Sequence, residues 1–438
     1  MTVLDTKKKP PPGPSTADDP IAKFNGDPYG YLDALQEKYG TIFSLPLGNV
    51  GEVDLPHIDA NGAWVFLARP HQIKVMYEAG DETITGAAAN KIFFGTDEAS
   101  VAYIEGKAHR YRRQQLHPTF GGSRDYADLV LSELAEHAES WPKGTPFPLF
   151  DALQKLTSAV ITEVVCGNMA QDDREFIRTT LLKTENAKYS REEILGADAD
   201  IRALVAKRIP DYRATPAAEP DTLATLVKLA DDGDESLTDD VLRDEVFSLL
   251  YTGFSTTANT LSWVFIRILD DSRVQSLLRK EIADNIGDTA ITRDSVNNLP
   301  YLEAVLKETL RLHPVTALNG VRLLKRDIEL DGYHIAAGSI LVHCAYLLQR
   351  STDVFDEPTE FRPERFMADA VDRYSWGAFG GGSRMCVGRG FSLNEMKLIV
   401  TKLLACYSMS RDGGVPGSQL QGFFMAPADG ARLTIAAN

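Results

Sequence analysis

The stretch Phe379-Gly380-Gly381-Gly382-Ser383-Arg384-Met385-Cys386-Val387-Gly388 places a glycine-rich loop and one cysteine directly before an amphipathic run over 391–404. Glycine has no Cβ and tolerates positive φ, so this loop allows the main chain to approach a flat, bulky group closely. The predicted helix that follows favours a thiolate at Cys386, because its unpaired N–H groups and positive dipole end face the cysteine. A thiolate there is suited to bind haem iron axially. The structural alternative is a glycine-rich turn with one buried cysteine.

The whole pattern F-x-x-G-x-R-x-C-x-G distinguishes these alternatives, because Phe379, Gly382, Arg384, Cys386 and Gly388 occupy all its fixed positions. It resembles the cysteine-ligand loop of the cytochrome P-450 family. The resemblance implies that Cys386 binds the iron of a haem b and that Phe379, Arg384 and Gly388 belong to the cofactor site.

Two further motifs support the same resemblance in the expected order. Glu308 and Arg311 form E-x-x-R on a predicted helix over 299–313, and P-E-R-F follows at 363–366. Alone, such an i, i+3 pair is usually exposed and contributes only a few tenths of a kcal/mol. The family resemblance instead implies a structural cluster of Glu308, Arg311 and Arg365.

A basic segment over 106–120 stands out in a chain whose formal net charge is −16. His109 and Arg113 are four residues apart and share one helical face. A solvated basic helix is the default interpretation, but H-x-x-x-R resembles the family's propionate-binding helix. The resemblance adds Arg322 and Arg384 as haem-propionate contacts. It also implies that the remaining arginines of the segment face outwards, towards an acidic redox partner.

A long helix predicted from residue 238 to about 268, with Ser236 and Asp239 at capping-box spacing, contains an unusual middle: Tyr251-Thr252-Gly253-Phe254-Ser255-Thr256-Thr257. Glycine and hydroxyl residues have poor helix propensity, and their hydroxyls can simply bond to carbonyls one turn earlier. The run resembles the family's oxygen-binding helix, which implies that Gly253 clears space for dioxygen and Thr256 guides protons. The family's acid is replaced by Ser255, and its Ala or Gly by Thr252.

Other segments that the resemblance places around a substrate are less informative. Residues 81–103 read as a loop roofing the distal pocket, and 172–213 as a pair of lid helices. Phe93 and Phe94 serve equally well as substrate contacts or as loop anchors. The complete set of candidate pocket residues is Phe93, Phe94, Leu250, Phe254, Ala317, Asn319 and Phe424.

Composition sets bounds on partners and location. The net charge argues against nucleic acid or an anionic membrane as main partner. Four widely spaced cysteines form neither a disulfide framework nor a zinc site, which suits a reducing cytoplasm. Residues 1–19 are polar and lack an apolar core, so we expect no signal peptide or membrane anchor. They predict a disordered tail that enters the fold through the proline-rich segment 10–14.

Together these patterns predict a mainly α protein with a small β lobe and the cytochrome P-450 fold, as a single domain over 20–438. The resemblance implies a haem-thiolate monooxygenase that hydroxylates, couples or cyclises a largely apolar small molecule, as in natural-product biosynthesis. A separate ferredoxin or flavodoxin with its reductase would supply electrons, and we expect a monomer. The alternatives are a peroxide-driven peroxygenase and a non-catalytic haem sensor or ligand carrier.

Overall fold

The computed structural model describes residues 9–47, 63–94, 99–185, 188–367, 371–421 and 424–437. Its helices are α1 Pro20–Gly26, α2 Pro28–Tyr39, α3 Pro70–Glu78, α4 Gly86–Phe94, α5 Gly106–Phe120, α6 Ala127–Glu139, α7 Leu149–Cys166, α8 Gln171–Thr184, α9 Arg191–Ala214, α10 Thr222–Asp231, α11 Asp239–Asp270, α12 Ser272–Asn285, α13 Arg293–Asn297, α14 Pro300–Leu312, α15 Ala345–Leu348 and α16 Arg389–Cys406. Its strands are β1 Ile42–Leu45, β2 Trp64–Leu67, β3 Ile84–Thr85, β4 Phe147–Pro148, β5 Val321–Leu324, β6 Ile328–Leu330, β7 Tyr333–Ile335, β8 Ile340–His343, β9 Tyr407–Ser410, β10 Ser418–Gln421, β11 Phe424–Pro427 and β12 Arg432–Ala437.

The first of two compact units comprises Met1–Tyr111, Thr316–Glu360 and Val371–Cys386. Its sheet has the strand order β1-β2-β8-β5-β3, in which only the β2–β8 pair is parallel. Apolar side chains of β2, β8 and α3 pack together in one buried cluster, which includes Ile73 and Met76 of α3. This unit therefore matches the predicted small β lobe, and it also carries the cysteine loop.

The described part of the N-terminal segment, 9–19, differs from the predicted disordered tail. The Ser44 amide donates to the Pro12 carbonyl at 2.8 Å, and the His334 amide donates to the Lys9 carbonyl at 3.0 Å. Proline has no N–H and keeps the chain extended, so the segment's carbonyls satisfy donors at the edge of the lobe. Residues 1–8 lie outside the described residues.

The predicted loop over 81–103 is wrong where it covers β3 and α4. Alanines 87–89 have high helix propensity, and the Ala87 amide donates to the Glu105 carboxylate at 2.6 Å. A carboxylate at the first turn satisfies an otherwise unpaired N–H group and complements the helix dipole. The local sequence thus forms a helix once Glu105, distant by almost 20 residues, is brought to its start.

The second unit comprises Arg112–Val315, Phe361–Ala370 and Val387–Asn438. Its central helix, α11, has 32 residues, hence a length of about 48 Å, and packs along α7. The Thr157 hydroxyl of α7 donates to the Phe254 carbonyl at 2.9 Å and fixes the two helices at mid-length. Small sheets β4-β12-β9 and β10-β11 complete this mostly helical unit.

The predicted start of α11 at residue 238 is confirmed, whereas the predicted capping box of Ser236 and Asp239 is wrong. Thr238 is the N-cap, and its hydroxyl accepts from the Val241 amide at 3.4 Å. Ser236 instead donates its hydroxyl to Asp234 at 2.6 Å within the preceding turn. Threonine and serine are both good N-caps, so the extended backbone at Thr238 decides between them.

The predicted helix pair over 172–213 corresponds to α8 and α9. Ser190 caps α9, and its hydroxyl and amide exchange hydrogen bonds with Glu193.

None of the described helices combines the length and hydrophobicity that crossing a lipid bilayer requires. The prediction of one domain over 20–438 stays a prediction.

Candidate functional site

The cysteine loop is closed by main-chain hydrogen bonds that fix Cys386 at its end. The Cys386 amide donates to the Phe379 carbonyl at 2.9 Å, and the Gly380 amide donates to the Gly377 carbonyl at 2.9 Å. The half-buried Phe379 ring packs edge-on against Trp376, with centroids 6.0 Å apart. Gly388 then caps α16. Cys386 is therefore presented at a defined point three residues before a helix.

The environments of the four cysteines differ, and only Cys386 is exposed. Burial raises the pKa of the Cys344 thiol to about 12 and that of the Cys166 thiol well above its ordinary value. Both remain protonated at neutral pH and inaccessible. Cys406 is half-buried near the end of α16. The accessibility of Cys386 thus fits the binding of an external group.

The glycines of the loop approach Tyr77 of α3 within the protein. A Cβ at Gly381 would overlap the Tyr77 ring, and one at Gly382 would lie 2.7 Å from the Tyr77 carbonyl oxygen. Gly382 also has a φ of 67°, which a side chain would disfavour. Inside the protein the loop therefore closely approaches Tyr77, and its predicted approach to a bound haem stays a prediction.

Tyr77 is itself held by a buried polar network. Its hydroxyl lies 2.9 Å from His343 Nδ1 and 3.2 Å from the Asn319 carbonyl oxygen. Burial lowers the pKa of His343 to about 3, so the imidazole is neutral. The Asn319 side-chain amide donates to the Gly377 carbonyl at 3.0 Å. Asn319 thus supports the cysteine loop, which differs from its prediction as a substrate contact.

Arg322 is a buried cation close to this loop. Its guanidinium donates to the Val321 and Gly381 carbonyls at 2.8 and 3.3 Å and lies 5.4 Å from the Tyr77 ring centroid. It is 6 % exposed, burial lowers its pKa, and it forms no salt bridge with any residue that the structure describes. An uncompensated buried charge is costly. A carboxylate of a bound group would neutralise it, so the site fits a haem propionate.

Arg384 already has a carboxylate partner. It forms a 2.9 Å ion pair with Glu105 and also donates to the carbonyls of Ala102 and Ile104. Burial alone would raise the pKa of Glu105, but hydrogen bonds from Thr85 and Ala87, together with Arg384, hold it at about 2. Arg384 therefore locks the cysteine loop to the segment before α5, and its predicted propionate contact stays a prediction.

The basic helix α5 differs from the prediction at one arginine. Arg112 is buried and forms a 2.8 Å ion pair with the fully buried Glu245 of α11, so it does not face outwards. Arg110 is exposed and lies 3.4 Å from Asp81. His109 is buried and Arg113 is half-buried, and their predicted contact with haem propionates stays a prediction. Helical periodicity alone cannot show that Arg112 forms an ion pair with Glu245, which is distant in the sequence.

On α11, a row of hydroxyls lies along one side of the helix. Thr252 donates to the Ser248 carbonyl at 2.7 Å, and Thr256 donates to the Thr252 carbonyl at 3.0 Å. Thr252 is exposed, and Ser248 and Thr256 are half-buried. Because the hydroxyl hydrogens of both threonines are used, their oxygens remain as acceptors towards the exposed side. Thr252, which the sequence marks only as a departure, belongs to this row.

Gly253 has a packing role in the structure, and its predicted role in clearing space for dioxygen stays a prediction. A Cβ there would lie 2.5 Å from Cγ1 of Ile161, so the missing side chain admits α7. The neighbouring Leu250 and Phe254 are fully buried, so their side chains do not lie on the exposed side of α11. The close packing of two helices is therefore what requires glycine at this position.

Ser255 lies on a different side of α11 from the hydroxyl row. It is fully buried, and its hydroxyl has no hydrogen-bond partner among the residues that the structure describes. The nearly buried carboxyl of Glu185, at the end of α8, faces it. Neither motif nor spacing marks Glu185 in the sequence, since 70 residues separate the two positions.

The remaining candidate pocket residues are distributed between the units. Ala317 and Phe424 are buried, at 6 % and 7 % exposure. The Met425 amide, next to Phe424, donates to the Val315 carbonyl at 2.8 Å, which fixes β11. The side chains of Phe93 and Phe94 lie outside the described residues.

The structure brings together Glu308, Arg311 and Arg365. Arg311 donates to the two Glu308 oxygens at 2.7 and 2.9 Å, and Arg365 donates to one of them at 3.0 Å. The Arg362 amide adds a fourth hydrogen bond at 2.8 Å. Glu308 and Arg311 are fully buried, so the cluster ties α14 to the P-E-R-F turn in a structural role.

Comparison with known proteins shows which family the chain resembles over most of its length. A family model described as cytochrome P-450 matches residues 190–434. Cytochrome P-450 135B1 of Mycobacterium tuberculosis is 30 % identical over 434 residues, which cover 93 % of this chain and 87 % of that protein. Cytochrome P-450 135A1 of the same organism is 28 % identical over 431 residues, covering 92 % and 90 %.

A similar solved structure is the retinoic-acid-bound cyanobacterial CYP120A1. It has a TM-score of 0.83 and 22 % sequence identity, and the alignment covers 99 % of this chain and 100 % of that one. At this identity the likeness concerns the fold.

Proposed function

Because the chain belongs to the cytochrome P-450 family and is a monooxygenase of that family, we propose that it oxidises a largely apolar small molecule that carries an N–H or O–H group. The oxidation would be a hydroxylation, coupling or cyclisation, as in natural-product biosynthesis. The hydroxyl row of α11 carries this proposal.

The family implies a haem-iron cofactor, and we infer haem b. When bound, the haem supplies the redox chemistry of dioxygen activation. Cys386 would be its thiolate ligand, since it is the exposed cysteine at the end of a loop closed by main-chain hydrogen bonds. Arg322 would neutralise one propionate, with His109, Arg113 and Arg384 as further contacts.

The substrate preference follows from the polarity of the exposed side of α11. Thr252 and Thr256 use their hydroxyl hydrogens on helix carbonyls and keep oxygen lone pairs available. These oxygens accept hydrogen bonds, so a donor group on the substrate is the complementary feature. An otherwise apolar body agrees with the apolar character of the predicted pocket residues.

Electrons would come from a separate partner, which we infer to be a ferredoxin or flavodoxin with its reductase. Members of this family generally use such donors. On α5, Arg110 remains exposed, whereas Arg112 is committed to Glu245. A partner surface on this helix would therefore use Arg110 and Lys107, and not Arg112.

Binding of matched compounds tests the substrate proposal. We would titrate the haem-loaded protein with apolar scaffolds that carry, or lack, one N–H or O–H group, and follow the spin-state shift. One neutral hydrogen bond contributes about 0.5–1.5 kcal/mol, so we expect roughly 2- to 10-fold tighter binding of the donor compounds. The nearly isosteric Thr252→Val and Thr256→Val variants should reduce this difference. Equal affinities for both members of every pair would contradict the proposal.

A peroxide-driven peroxygenase is the second candidate function. The observation that favours it is Ser255, a residue without acidic character at the position of the family's acid. Product formation with hydrogen peroxide, but not with reductant and electron donor, would support this candidate over the first.

A further inference from the structure

The helix α11 lacks a carboxyl group of its own beside Thr256, yet a carboxyl group faces it from elsewhere in the same unit. Glu185 follows directly after α8, in the connection to α9. Its main-chain carbonyl accepts a hydrogen bond from the Gln421 side chain of β10 at 3.0 Å. This contact fixes the main chain at Glu185 itself, so the position of Glu185 does not depend on α8 alone.

The side chain of Glu185 is directed inwards. The residue is 4 % exposed, and neither carboxyl oxygen makes a hydrogen bond of ordinary length and angle with a described residue, although the hydroxyls of Ser255 and Tyr251 are close enough to lower its pKa. The groups facing it are the hydroxyls of Ser255 and Tyr251 on α11 and the carboxylate of Asp198 on α9. Ser255 is likewise buried without a partner for its hydroxyl. Two unsatisfied polar groups that face each other are a suitable place for a bridging water.

We propose that Glu185 is a positioning proton donor for α11, and that its carboxyl group replaces the missing acid and delivers protons through the Ser255 hydroxyl. This inference rests on the proposed monooxygenase function, whose chemistry consumes protons. It assigns Glu185 to the same site from a different segment of the chain.

The proton transfer balances without a further reactant. The O–H bond of the Glu185 carboxylic acid breaks, and its proton passes, directly or through one water, to the Ser255 oxygen. Ser255 releases its own hydroxyl proton to the oxygen of the adjacent Thr256 hydroxyl, whose lone pairs can accept it, and remains neutral. Thr256 passes a proton on to the monooxygenase reaction, which consumes it. Glu185 is left as a carboxylate and regains a proton from solvent.

The protonation state of Glu185 suits this role. Burial raises its pKa to about 8, although the hydroxyls of Ser255 and Tyr251 offset part of the rise, and Asp198 adds to it. The side chain is thus mostly a neutral acid at pH 7, and a proton donor works best when its pKa is close to the operating pH. Activity should therefore fall as pH rises through about 8.

Glu395 of α16 provides a matched control. It is also buried, its carboxyl has no hydrogen-bond partner in the part of the chain that the structure describes, and burial raises its pKa to about 8 as well. However, it lines a small cavity with Arg124, Arg293 and Phe391, away from the residues of α11 described above. If replacing any buried acid lowered the activity, both Glu185→Gln and Glu395→Gln would show the loss. Proton delivery through Ser255 predicts a loss in Glu185→Gln alone.

Infrared titration of the resting, haem-loaded protein tests whether Glu185 holds the proton beside Ser255. The difference between wild type and Glu185→Gln should contain a carboxylic-acid carbonyl band that disappears as pH rises through about 8. Ser255→Ala should shift this band, and Glu395→Gln should leave it unchanged. An absent band, or one that is unaffected by Ser255→Ala, would overturn the inference.

Turnover with reductant then tests the delivery of protons. Glu185→Gln should lower product formation by about 10²-fold, at the low end of general-acid contributions, and remove the pH dependence near 8. Glu185→Asp should restore part of the rate, and Glu395→Gln should match wild type. An unchanged pH profile in Glu185→Gln would refute proton delivery. Failure of every substrate would instead count against the proposed function, while the infrared result would still decide the state of Glu185.

Discussion

Arg322 carries a positive charge that is buried without a salt bridge to any described residue. We therefore expect its replacement by Met to have opposite effects in the haem-free and the haem-loaded protein. Replacing an uncompensated buried charge by Met should stabilise the haem-free protein towards urea. In the haem-loaded protein, the same change removes a charge-assisted hydrogen bond of about 1.5–3 kcal/mol and should lower haem retention.

Haem transfer to an acceptor protein and urea unfolding of the apoprotein measure the two effects. Arg110→Met, at an exposed arginine of α5, is the control and should change neither. Adding Arg113→Met to Arg322→Met should lower haem retention further. If Arg322→Met retains haem like wild type, the propionate assignment is wrong.

At Cys386, the exposed thiol at the end of a closed loop should determine the spectrum of the protein. We expect the reduced, carbon-monoxide-bound protein to show the red-shifted Soret band of thiolate-ligated haem. Cys386→Ser should abolish it, because a serine hydroxyl does not provide a thiolate. Persistence of the band in this variant would exclude Cys386 as the ligand. The matched controls Cys166→Ala, Cys344→Ala and Cys406→Ala should all retain it.

At the level of elements, Glu308 joins α14 to the turn that contains Arg365. Glu308→Gln keeps the shape of the side chain but leaves the fully buried Arg311 without its countercharge. Breaking a buried ion pair at one partner costs about 3–5 kcal/mol, so the free energy of unfolding should fall by that amount.

Chemical denaturation measures this loss, and an exposed ion pair provides the comparison. Lys280 and Asp284 form a solvent-exposed i, i+4 pair on α12, so Lys280→Ala should cost only about 0.3–0.5 kcal/mol. If the free energy of unfolding fell by similar amounts in the two variants, the buried Glu308 cluster would not stabilise the fold as proposed.

For the whole molecule, half-buried and buried carboxyl groups make stability depend on pH in two opposite directions. Glu105 and Glu303 have pKa values of about 2, because hydrogen bonds and cationic partners outweigh the effect of burial. Their contributions are present above the ordinary pKa of 4.5 and are lost as pH falls towards 2. Glu185 and Glu395, with pKa values raised to about 8, act oppositely, since their burial becomes costly once the unfolded chain ionises.

Glu395→Gln should therefore stabilise the protein at pH 8.5 and have little effect at about pH 4.5. Between 4.5 and about 8, the folded state keeps a proton that the unfolded chain releases. Wild-type stability then falls by about 1.4 kcal/mol per pH unit for this group. Urea unfolding across this range measures the slope, and equal slopes in wild type and variant would contradict the raised pKa.

The sequence by itself determined the features that depend on neighbouring residues. The helices over 106–120 and 299–313 and the two helices within 172–213 follow from local helical patterns, and the structure has them within a few residues. The cysteine loop is likewise local, because its glycines, Cys386 and the following helix are contiguous. The family could be identified from these motifs, since they act over short distances along the chain.

Only the tertiary structure decided which distant groups meet in the interior. Arg112 looks like an outward-facing cation until Glu245 is brought to 2.8 Å from it. Gly253 matches the family's oxygen-site glycine in sequence, but only the structure shows that Ile161 occupies the space beside it. Glu185 carries no motif and becomes notable only when buried against Ser255. Burial, charge pairing and shifted pKa values arise from packing between segments far apart in sequence, and local patterns contain no information about them.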